Sequence, residues 1–428
     1  MADREYIRQH VFDNAIRQIS LLQRGLEISL EDLETFQEWV TDQLVRLGAS
    51  TEEFIISPTE LKEQPAFNVR LDNRPESIQF GTNVLGRLSG RLEATTLLFA
   101  HADKSIDSYQ YTEKSIDFDD DRLVGPGIAD DVCGVVAMLG AIDTLTTGGW
   151  TPETSVVLAS VLGKQLGVGG TYGLMRRIAP ADAAVYIHPA ESGRGLSDLK
   201  VGSNGLYHCT ITLRGKLPST SETHHPLYVE HGSNPVDVAV SVVQQLHSWI
   251  ESLAESYAHP GVERAAGTSA GMVTSDIRVA DSDRSVYEMP QECDIEVAIA
   301  FPPGITLERV ADGVRNVVAE AVEETDLTHV AVQDDDLMAE SAETAVSSPA
   351  VRTVTHAIDE VAGQPPNFYY GHTASDIRYP LLHWGTPTVG FGPQGGAIGE
   401  PNEWIDRQEY LETVSALAAF LIEFDPST

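Results

Sequence analysis

From residue 92 onward, continuous apolar runs alternate along the chain with a segment of helical periodicity. The runs are Leu92–Ala100, Ser155–Leu162 and Ala183–Ile187, and the helical segment Val135–Leu145 separates the first two. Apolar runs of this length are typical of strands that are buried on both faces, and their alternation with helices is typical of a largely parallel sheet. We therefore predict an α/β domain with a mixed, largely parallel sheet.

A different pattern interrupts this alternation between residues 203 and 336. Its predicted elements follow the order strand, helix, strand, strand, helix, strand, and they are Tyr207–Leu213, Pro235–Leu253, Ser275–Ala280, Cys293–Ile299, Leu307–Val322 and Thr328–Val332. This β-α-β-β-α-β order is typical of a ferredoxin-like module. We predict that residues 203–336 form such a module, inserted between the two parts of the α/β domain, 1–202 and 337–428.

Helical periodicity also marks both ends of the chain. The spacing of apolar residues predicts two helices over residues 4–24 and 31–48. After the inserted module, the pattern predicts helices at 348–361, 374–383 and 407–423 and a strand at Thr386–Phe391. These elements return the chain to the α/β domain.

The net charge of the chain limits the kinds of partner that it can bind and the salt conditions that suit it. Its 64 acidic residues face 28 basic residues, of which six are lysines, and the formal net charge is −36. Such a charge opposes binding to nucleic acid, and molar salt would screen its self-repulsion. The acidic excess, the few lysines and the lack of a signal-peptide pattern or a membrane-spanning apolar run predict a protein of a salt-adapted cytoplasm.

Three predicted strand or loop ends carry side chains that suit a metal site. His101 and Asp103 follow the first apolar run, Asp130 follows a Gly-Pro-Gly turn, and His188 follows the third run. A histidine with a carboxylate two residues later is typical of a metal ligand and the group that orients it. Taken singly, each has a structural explanation, because Asp before a helix commonly caps it and a strand-end His is commonly a hydrogen-bonded core residue.

The order of these motifs along the chain points to one family. Beyond the His-x-Asp and Gly-x-Gly-x-x-Asp motifs, the further matching segments are Gly215-Lys216, Gly232-Ser-Asn234-Pro235, Ser375-Asp376-Ile-Arg378, Gly385–Pro393 and Pro401-Asn402-Glu403. Over nearly the whole chain the sequence resembles the two-zinc metallopeptidase and deacylase family that includes succinyl-diaminopimelate desuccinylase, acetylornithine deacetylase and carboxypeptidase G. The resemblance implies a zinc-exopeptidase-like α/β domain with an inserted lid and dimerisation module.

The resemblance also implies roles for individual residues. His101 matches the first zinc ligand, Asp103 its orienting partner and Asp130 the carboxylate that bridges two zinc ions. His225, nine residues before Asn234, matches the histidine that crosses a dimer interface to polarise the scissile carbonyl. His372 stands where the family usually has glycine, and it is a weaker candidate for a replacement ligand or base.

Several positions depart from the family pattern. Lys164 stands where the general base belongs, and Gln165, a weak candidate ligand, stands where a carboxylate binds zinc. His188 replaces the next carboxylate ligand, and Gly399 replaces the last histidine ligand. On the inserted module, Ala300 falls where the family has an arginine for the substrate carboxylate.

The chemistry of these departures argues against two zinc ions. A lysine ammonium has no acceptor lone pair, so Lys164 can act as a base only if its pKa is strongly lowered. Near a dication it also repels, by ~4 kcal/mol for each pair of unit charges at ~4 Å and an effective dielectric constant of about 20. We therefore expect at most one zinc ion, and without metal we expect Lys164 to pair with Asp130.

Two functional hypotheses follow. In the first, the hydrolytic site is eroded and the protein is a non-hydrolytic homologue that binds a ligand or partner. In the second, His101, Asp130 and His188 hold one metal ion in an active hydrolase of peptide or N-acyl amide bonds. Both predict a small amide or amino-acid-like ligand and no nucleic-acid or membrane partner. The resemblance further implies a homodimer formed through the inserted module, where Tyr207–Leu213 or the helix from Pro235 is a candidate interface. The sequence leaves the substrate open.

Overall fold

The computed structural model describes residues 2–57, 59–60, 81–104, 116–164, 169–221, 225–280, 285–334 and 338–428. The chain divides into two compact units. The first unit contains the described residues up to Ser203 and from Ala342 to the last residue, and the second unit contains those from Asn204 to Ser341.

Helices and strands follow one another in both units. In chain order, the helices in the described residues are α1 Ala2–Asp13, α2 Ala15–Glu31, α3 Leu33–Arg46, α4 Cys133–Gly148, α5 Gly169–Met175, α6 Pro235–Ser256, α7 Pro260–Ala266, α8 Leu307–Val322, α9 Pro349–Ala362, α10 Arg378–Trp384 and α11 Arg407–Glu423. The strands are β1 Ser50–Phe54, β2 Asn83–Leu88, β3 Leu92–His101, β4 Asp117–Phe118, β5 Arg122–Val124, β6 Thr154–Val161, β7 Ala183–Ile187, β8 Asp198–Lys200, β9 Gly202–Ser203, β10 Gly205–Arg214, β11 Gly271–Val279, β12 Glu292–Phe301, β13 His329–Asp334, β14 Ala342–Glu343, β15 Asn367–Tyr369, β16 Thr388–Phe391, β17 Gly395–Gly396 and β18 Trp404–Asp406. Among these helices, none combines the length and apolar character needed to cross a membrane.

An eight-stranded mixed sheet forms the centre of the first unit, in the order β1-β2-β6-β3-β7-β16-β8-β15. Its four central strands, β6, β3, β7 and β16, run parallel. Antiparallel pairs join β1 to β2, β2 to β6 and β16 to β8. The predicted α/β class with a mixed sheet is confirmed.

Burial on both faces explains the continuous apolar sequence of the central strands. Every residue of β7 and β16 is buried, and so are the last six residues of β3. Helix α4 is buried from Cys133 to Leu145, and its side chains join those of α9 and α11 in one apolar core. The carboxyl ends of the central strands are therefore held by a rigid scaffold.

The amino-terminal helices differ from the prediction. The sequence pattern predicts helices over 4–24 and 31–48, whereas the structure has three helices with breaks at Asn14 and Asp32. The Asn14 side chain donates to the carbonyl of His10 at 2.8 Å, so it competes for the backbone of the preceding turn. Asp32 caps α3 by accepting from the Thr35 N–H at 2.8 Å.

The second unit contains a four-stranded antiparallel sheet in the order β11-β12-β10-β13. The apolar faces of α6 and α8 belong to the same core as the alternate buried residues of β10 and β12. Strand β10, which contains Tyr207–Leu213, is paired with β12 along its whole length and with β13 from Cys209 to Arg214. The backbone from Cys209 to Arg214 is therefore paired on both sides within this sheet, and Tyr207–Leu213 as part of a dimer interface stays a prediction.

Candidate functional site

Three central strands of the first unit end beside one another, and each is followed by polar side chains. The register pairs His101 of β3 with Val161 of β6, so His101 lies level with the end of β6. Lys164 follows β6, and His188 follows β7 directly. Because the carboxyl ends of parallel strands meet at the same edge of a sheet, the topology places these side chains together at that edge.

His101 is enclosed by carboxylates. Its ring is fully buried, with Nδ1 3.3 Å from Asp103 Oδ1 and Nε2 2.5 Å from Asp376 Oδ2. Burial by itself lowers the pKa of His101, but Asp376 and Asp103 outweigh it and raise the pKa to about 9. His101 is therefore an imidazolium at neutral pH, and it donates from both ring nitrogens.

Asp376 and Asp103 are each held by further donors. The Thr171 hydroxyl donates to Asp376 Oδ2 at 2.6 Å. Asp103 Oδ2 accepts from the backbone N–H groups of Gly163 and Lys164 at 3.1 and 2.9 Å. Asp103 thus contacts both the ring of His101 and the turn that carries Lys164.

Asp130 is paired with Lys164. The Lys164 ammonium donates to Asp130 Oδ1, and the two side chains are 18% and 7% exposed. Burial lowers the pKa of Lys164 to about 8, although the nearby charges of Asp376 and Asp103 oppose the change. At neutral pH most of the population therefore keeps the ammonium and cannot act as a base.

His188 lies against the same oxygen of Asp130. Its Nε2 is 2.9 Å from Asp130 Oδ1, and its Nδ1 is 2.6 Å from the carbonyl of Pro189. Burial, together with Lys164 and Lys200, holds the pKa of His188 well below its usual range. A neutral ring that donates from Nδ1 directs the lone pair of Nε2 at Asp130, so the two acceptors need a shared positive charge.

A second lysine completes the group of side chains. The fully buried Lys200 donates to Glu191 Oε1 at 2.8 Å, and its Nζ lies 2.9 Å from His372 Nδ1. His372 Nδ1 also contacts Glu191 Oε1. Lys200 passes over Gly390 of β16, where a Cβ would lie 3.2 Å from its Cδ, so a side chain there would crowd the lysine. We call the following side chains the strand-end cluster: His101, Asp103, Asp130, Lys164, His188, Glu191, Lys200, His372 and Asp376.

The charges of Glu191 and His372 depend on each other. Burial alone would raise the pKa of Glu191, but His372 and Lys200 reverse the effect and hold the pKa well below its usual range. Burial lowers the pKa of His372 despite the opposing field of Glu191. Glu191 is therefore a carboxylate that is held between His372 and Lys200.

Glu403 ties the loops around Asp130 together. One oxygen accepts from the Asp130 N–H at 2.7 Å, and the other accepts from Gly127 and Gly399 at 3.2 and 3.1 Å. Burial raises the pKa of Glu403 to about 7, although backbone N–H groups stabilise its charged form. Gly399 has φ +82°, a left-handed conformation that favours glycine.

Most of the residues singled out in the sequence come together in the first unit. His101, Asp103, Asp130, Lys164, His188 and His372 belong to the strand-end cluster. Gln165 lies outside the described residues. His225 belongs to the second unit, where its N–H donates to the carbonyl of Tyr287 and its Nδ1 accepts from the Met289 N–H at 3.1 Å.

Sequence reasoning missed four members of the site. Asp376 and Glu403 stand in motifs that carry the family resemblance, yet neither was assigned a role. Glu191 follows His188 by three residues, a spacing that could have drawn attention to it. Lys200 is one of six lysines and ends the short strand β8, but only its contact with Glu191 reveals its role.

The donor set does not fit the two zinc ions that the family resemblance implies. Asp130, which matches the bridging carboxylate, contacts the Lys164 ammonium through Oδ1, and each ring nitrogen of His101 faces a carboxylate. Gly399 supplies no side-chain ligand. In the part of the chain that the structure describes, His, Cys, Asp and Glu side chains form no group of three or more that could hold a metal ion.

Comparisons with known proteins identify relatives of the chain. A family model described as peptidase family M20/M25/M40 matches residues 100–423. Carboxypeptidase G2 from Pseudomonas sp. (strain RS-16) is 25% identical over 137 residues, and the match spans about a third of each protein, 32% of both.

Solved structures extend the similarity to nearly the whole chain. Aminopeptidase PepT from Bacillus cereus ATCC 10987 superposes with a TM-score of 0.73 at 16% identity, over 94% of this chain and 98% of that chain. Human carnosine dipeptidase 1 superposes with a TM-score of 0.68 at 14% identity, over 98% of both chains. At these identities the likeness shows a shared fold.

Proposed function

The chain belongs to peptidase family M20/M25/M40, as its motifs predict, and we propose that within this family it is a non-hydrolytic homologue that binds a small amide or amino-acid-like molecule. The observation that carries the proposal is the contact between the Lys164 ammonium and Asp130 Oδ1. An organic cation on the side chain takes the position next to Asp130, where a metal ion would otherwise neutralise the carboxylate. No hydrolytic step is derived for this site, because a lysine ammonium supplies neither a metal ligand nor a general base.

The charge balance of the strand-end cluster supports the proposal. Three cationic groups, Lys164, Lys200 and the His101 imidazolium, face the four carboxylates of Asp103, Asp130, Asp376 and Glu191. Buried carboxylates are tolerated when cations and hydrogen bonds compensate them, and these groups provide that compensation. Two additional dications would leave a large positive excess in a buried space.

The exposed edges of the cluster support the class of ligand. The side chains of Lys164, Glu191 and His372 keep 18%, 29% and 19% of their surface exposed, and they present one ammonium, one carboxylate and one imidazole. Groups of both signs are complementary to the carboxylate and the amine or amide of an amino-acid-like molecule. The proposal therefore predicts binding without turnover.

The first experiment measures zinc content and zinc affinity in the wild type and in Lys164→Glu. We expect substoichiometric zinc in the wild type, and roughly a tenfold or greater gain in zinc affinity in the variant, since the substitution removes a repulsive charge next to Asp130. Lys216→Glu makes the same charge change at an exposed residue of the second unit, which pairs with Asp326 at 3.3 Å. This matched control should leave zinc affinity unchanged.

The second experiment incubates the wild type with a panel of N-acyl amino acids and dipeptides, with and without added zinc. We expect no release of amine, together with calorimetric binding of at least one member that Lys164→Gln and Glu191→Gln weaken. Turnover that depends on His101 would overturn the proposal. A full panel without binding would overturn the ligand class.

One observation favours the alternative of a one-metal hydrolase. His188 Nε2 and Asp130 Oδ1 are 2.9 Å apart and direct lone pairs at each other, as two ligands of one metal ion would. The alternative requires Lys164 to leave Asp130 when the metal binds. About one zinc ion per chain, lost in His101→Ala and accompanied by amine release, would establish it.

A further inference from the structure

A cavity of about 300 Å³ lies in the first unit between helices α2, α3 and α4, and none of its lining residues belongs to the strand-end cluster. Helix α2 lines it with Arg17, Ser20, Leu21 and Arg24. They recur at Arg17, at the adjacent Ser20 and Leu21, and at Arg24, which is one turn of the helix at each step, so they form one stripe. The lining residues of α3 and the neighbouring Leu47 have the same spacing, and they are Trp39, Gln43, Arg46 and Leu47.

The charge of this cavity is opposite to that of the chain. Three arginines line it, against a single acidic side chain, Asp143, whereas acidic residues outnumber basic ones 64 to 28 in the whole sequence. Acidic residues predominate in the rest of the sequence, so three guanidinium groups around one small cavity give it a local positive charge. This charge favours a negatively charged occupant.

The three arginines differ in how far their charges are already satisfied. Arg17 is bound by both oxygens of Asp143, with its Nε 2.8 Å from Oδ2. Arg24 reaches Glu27 of its own helix at 3.5 Å, and 60% of its side chain is exposed. Arg46, at the end of α3, has no ion pair among the described residues. Its planar guanidinium is therefore available for a two-point contact with an incoming carboxylate.

Besides Ser20 and Gln43, the remaining lining residues are apolar and held in place by packing. Trp39 stacks on the buried Phe36, with ring centroids 5.7 Å apart and planes 27° apart. Leu139 of α4 is buried, and Leu21 and Leu47 are partly buried against the same core. A ligand that reaches Arg46 with its charge therefore has an apolar surface beside it for the rest of its body.

We propose that this cavity is a second binding site, for an organic carboxylate whose charged end pairs with Arg46 and Arg24 and whose apolar body packs against Trp39 and Leu139. The site is independent of the strand-end cluster, so the proposal does not rest on the function proposed above. Its volume is at the lower end of small-molecule sites, which limits the ligand to a short acyl or aryl chain.

The test uses three probes and the full chain, at the lowest salt concentration at which the protein remains folded. The probes for isothermal titration calorimetry are 4-phenylbutyrate, its neutral counterpart 4-phenylbutan-1-ol, and acetate. We expect 4-phenylbutyrate to bind, and the alcohol and acetate each to bind roughly tenfold more weakly, because the first lacks the charge and the second lacks the apolar body.

Two variants locate the binding. Arg46→Gln and Trp39→Ala should each weaken 4-phenylbutyrate by roughly tenfold. Arg91→Gln, in the same unit and outside the cavity lining, removes an arginine that is 60% exposed and should change nothing. Retained far-ultraviolet circular dichroism and melting temperature would show that each variant is folded.

Three outcomes would overturn the proposal. They are absence of binding of 4-phenylbutyrate, equal binding of the acid and the alcohol, and binding that Arg46→Gln leaves unchanged. Inorganic phosphate that binds as tightly as 4-phenylbutyrate would also overturn it, since the site would then be selective for charge alone.

Discussion

Asp130 Oδ1 has the Lys164 ammonium and His188 Nε2 as neighbours, and in the function proposed above the ammonium compensates this oxygen in place of a metal ion. When a lysine ammonium already compensates the charge of a carboxylate, that carboxylate attracts a metal ion less strongly. The ammonium is attached to the chain, so its effective concentration does not depend on the metal supply. Together with the other departures from the family pattern, Lys164 therefore changes the charge of the site and, in the proposed function, its reactivity, while the fold stays that of the family.

The pKa values of two histidines in the strand-end cluster are shifted in opposite directions. Asp376 and Asp103 raise the pKa of His101 to about 9, whereas burial holds the pKa of His188 well below its usual range. Nuclear magnetic resonance of histidine-labelled protein, assigned with His101→Gln, should show His101 protonated up to about pH 9. A His101 signal that does not titrate, because the ring binds metal, would contradict this prediction.

The same shift fixes the sign of the linked stability. A histidine with a raised pKa stabilises the folded state fully below its unfolded pKa of about 6.5, and this contribution is lost as the pH rises through its folded pKa. For His101 the loss should therefore fall between pH 6.5 and about 9. Urea unfolding at a series of pH values across this range measures it.

Replacement of Glu403 by glutamine should destabilise the loops that carry Asp130. Glu403 accepts three backbone N–H groups, from Gly127, Asp130 and Gly399, while a glutamine has one acceptor oxygen and would turn an NH2 group toward a donor. We expect Glu403→Gln to lower the free energy of unfolding by about 2–3 kcal/mol. Glu400→Gln, at a neighbouring exposed carboxylate, is the control and should have little effect; equal stability of both variants would show that Glu403 does not hold these loops.

At the scale of single elements, the edge strands of the second unit determine where two copies can meet. Strand β10 is interior, whereas β11 is an edge strand that exposes 63% of Val273 and 46% of Ile277. In the described residues β11 pairs on one side only, with β12. We expect a homodimer through β11, because a free edge with exposed apolar side chains favours pairing with another strand.

Size-exclusion chromatography with light scattering tests the dimer. A lysine in place of Val273 should shift the protein toward monomer, because charge on an edge strand opposes pairing. Val240→Lys, on the half-exposed face of α6, should leave the dimer intact. The reverse pattern would place the interface on the helix that begins at Pro235.

The elements that the sequence predicts well are long helices in which the pattern of apolar residues stays the same from end to end. Helix α8 at Leu307–Val322 and helix α11 at 407–423 match their predicted bounds, since apolar residues recur on one face or along the whole helix. The three-residue strands β8 and β15 carry no such periodicity, and they are defined only by pairing across long separations in sequence. The break at Asn14 was also missed, because one side-chain hydrogen bond decides it.

Within the candidate site, sequence reasoning succeeds for residues that directly follow predicted strands. His101 and His188 are found in this way, and Lys164 is found by comparison with a family pattern. The contact between Glu191 and His372 joins residues far apart in the chain, and nothing local in either segment indicates the other. Tertiary folding alone brings them together around Lys200.

At the scale of the whole molecule, the net charge of −36 predicts that salt stabilises the fold. The Debye length falls from ~30 Å at 0.01 M to ~3 Å at 1 M salt, so repulsion between surface carboxylates weakens. We expect the melting temperature to rise as potassium chloride increases over this range, as measured by differential scanning fluorimetry. A constant or falling melting temperature would contradict the interpretation that the chain is adapted to salt.

The order of strands in the first unit also determines when, during synthesis of the chain, its sheet can be completed. Strand β16, near the end of the sequence, lies between β7 and β8, which are synthesised some two hundred residues earlier. Until β16 emerges, β7 and β8 have no common neighbour and the helix α11 is missing from the core. The strands of the second unit are contiguous in sequence, so that unit can complete its sheet during translation while the first unit waits for the last segment of the chain.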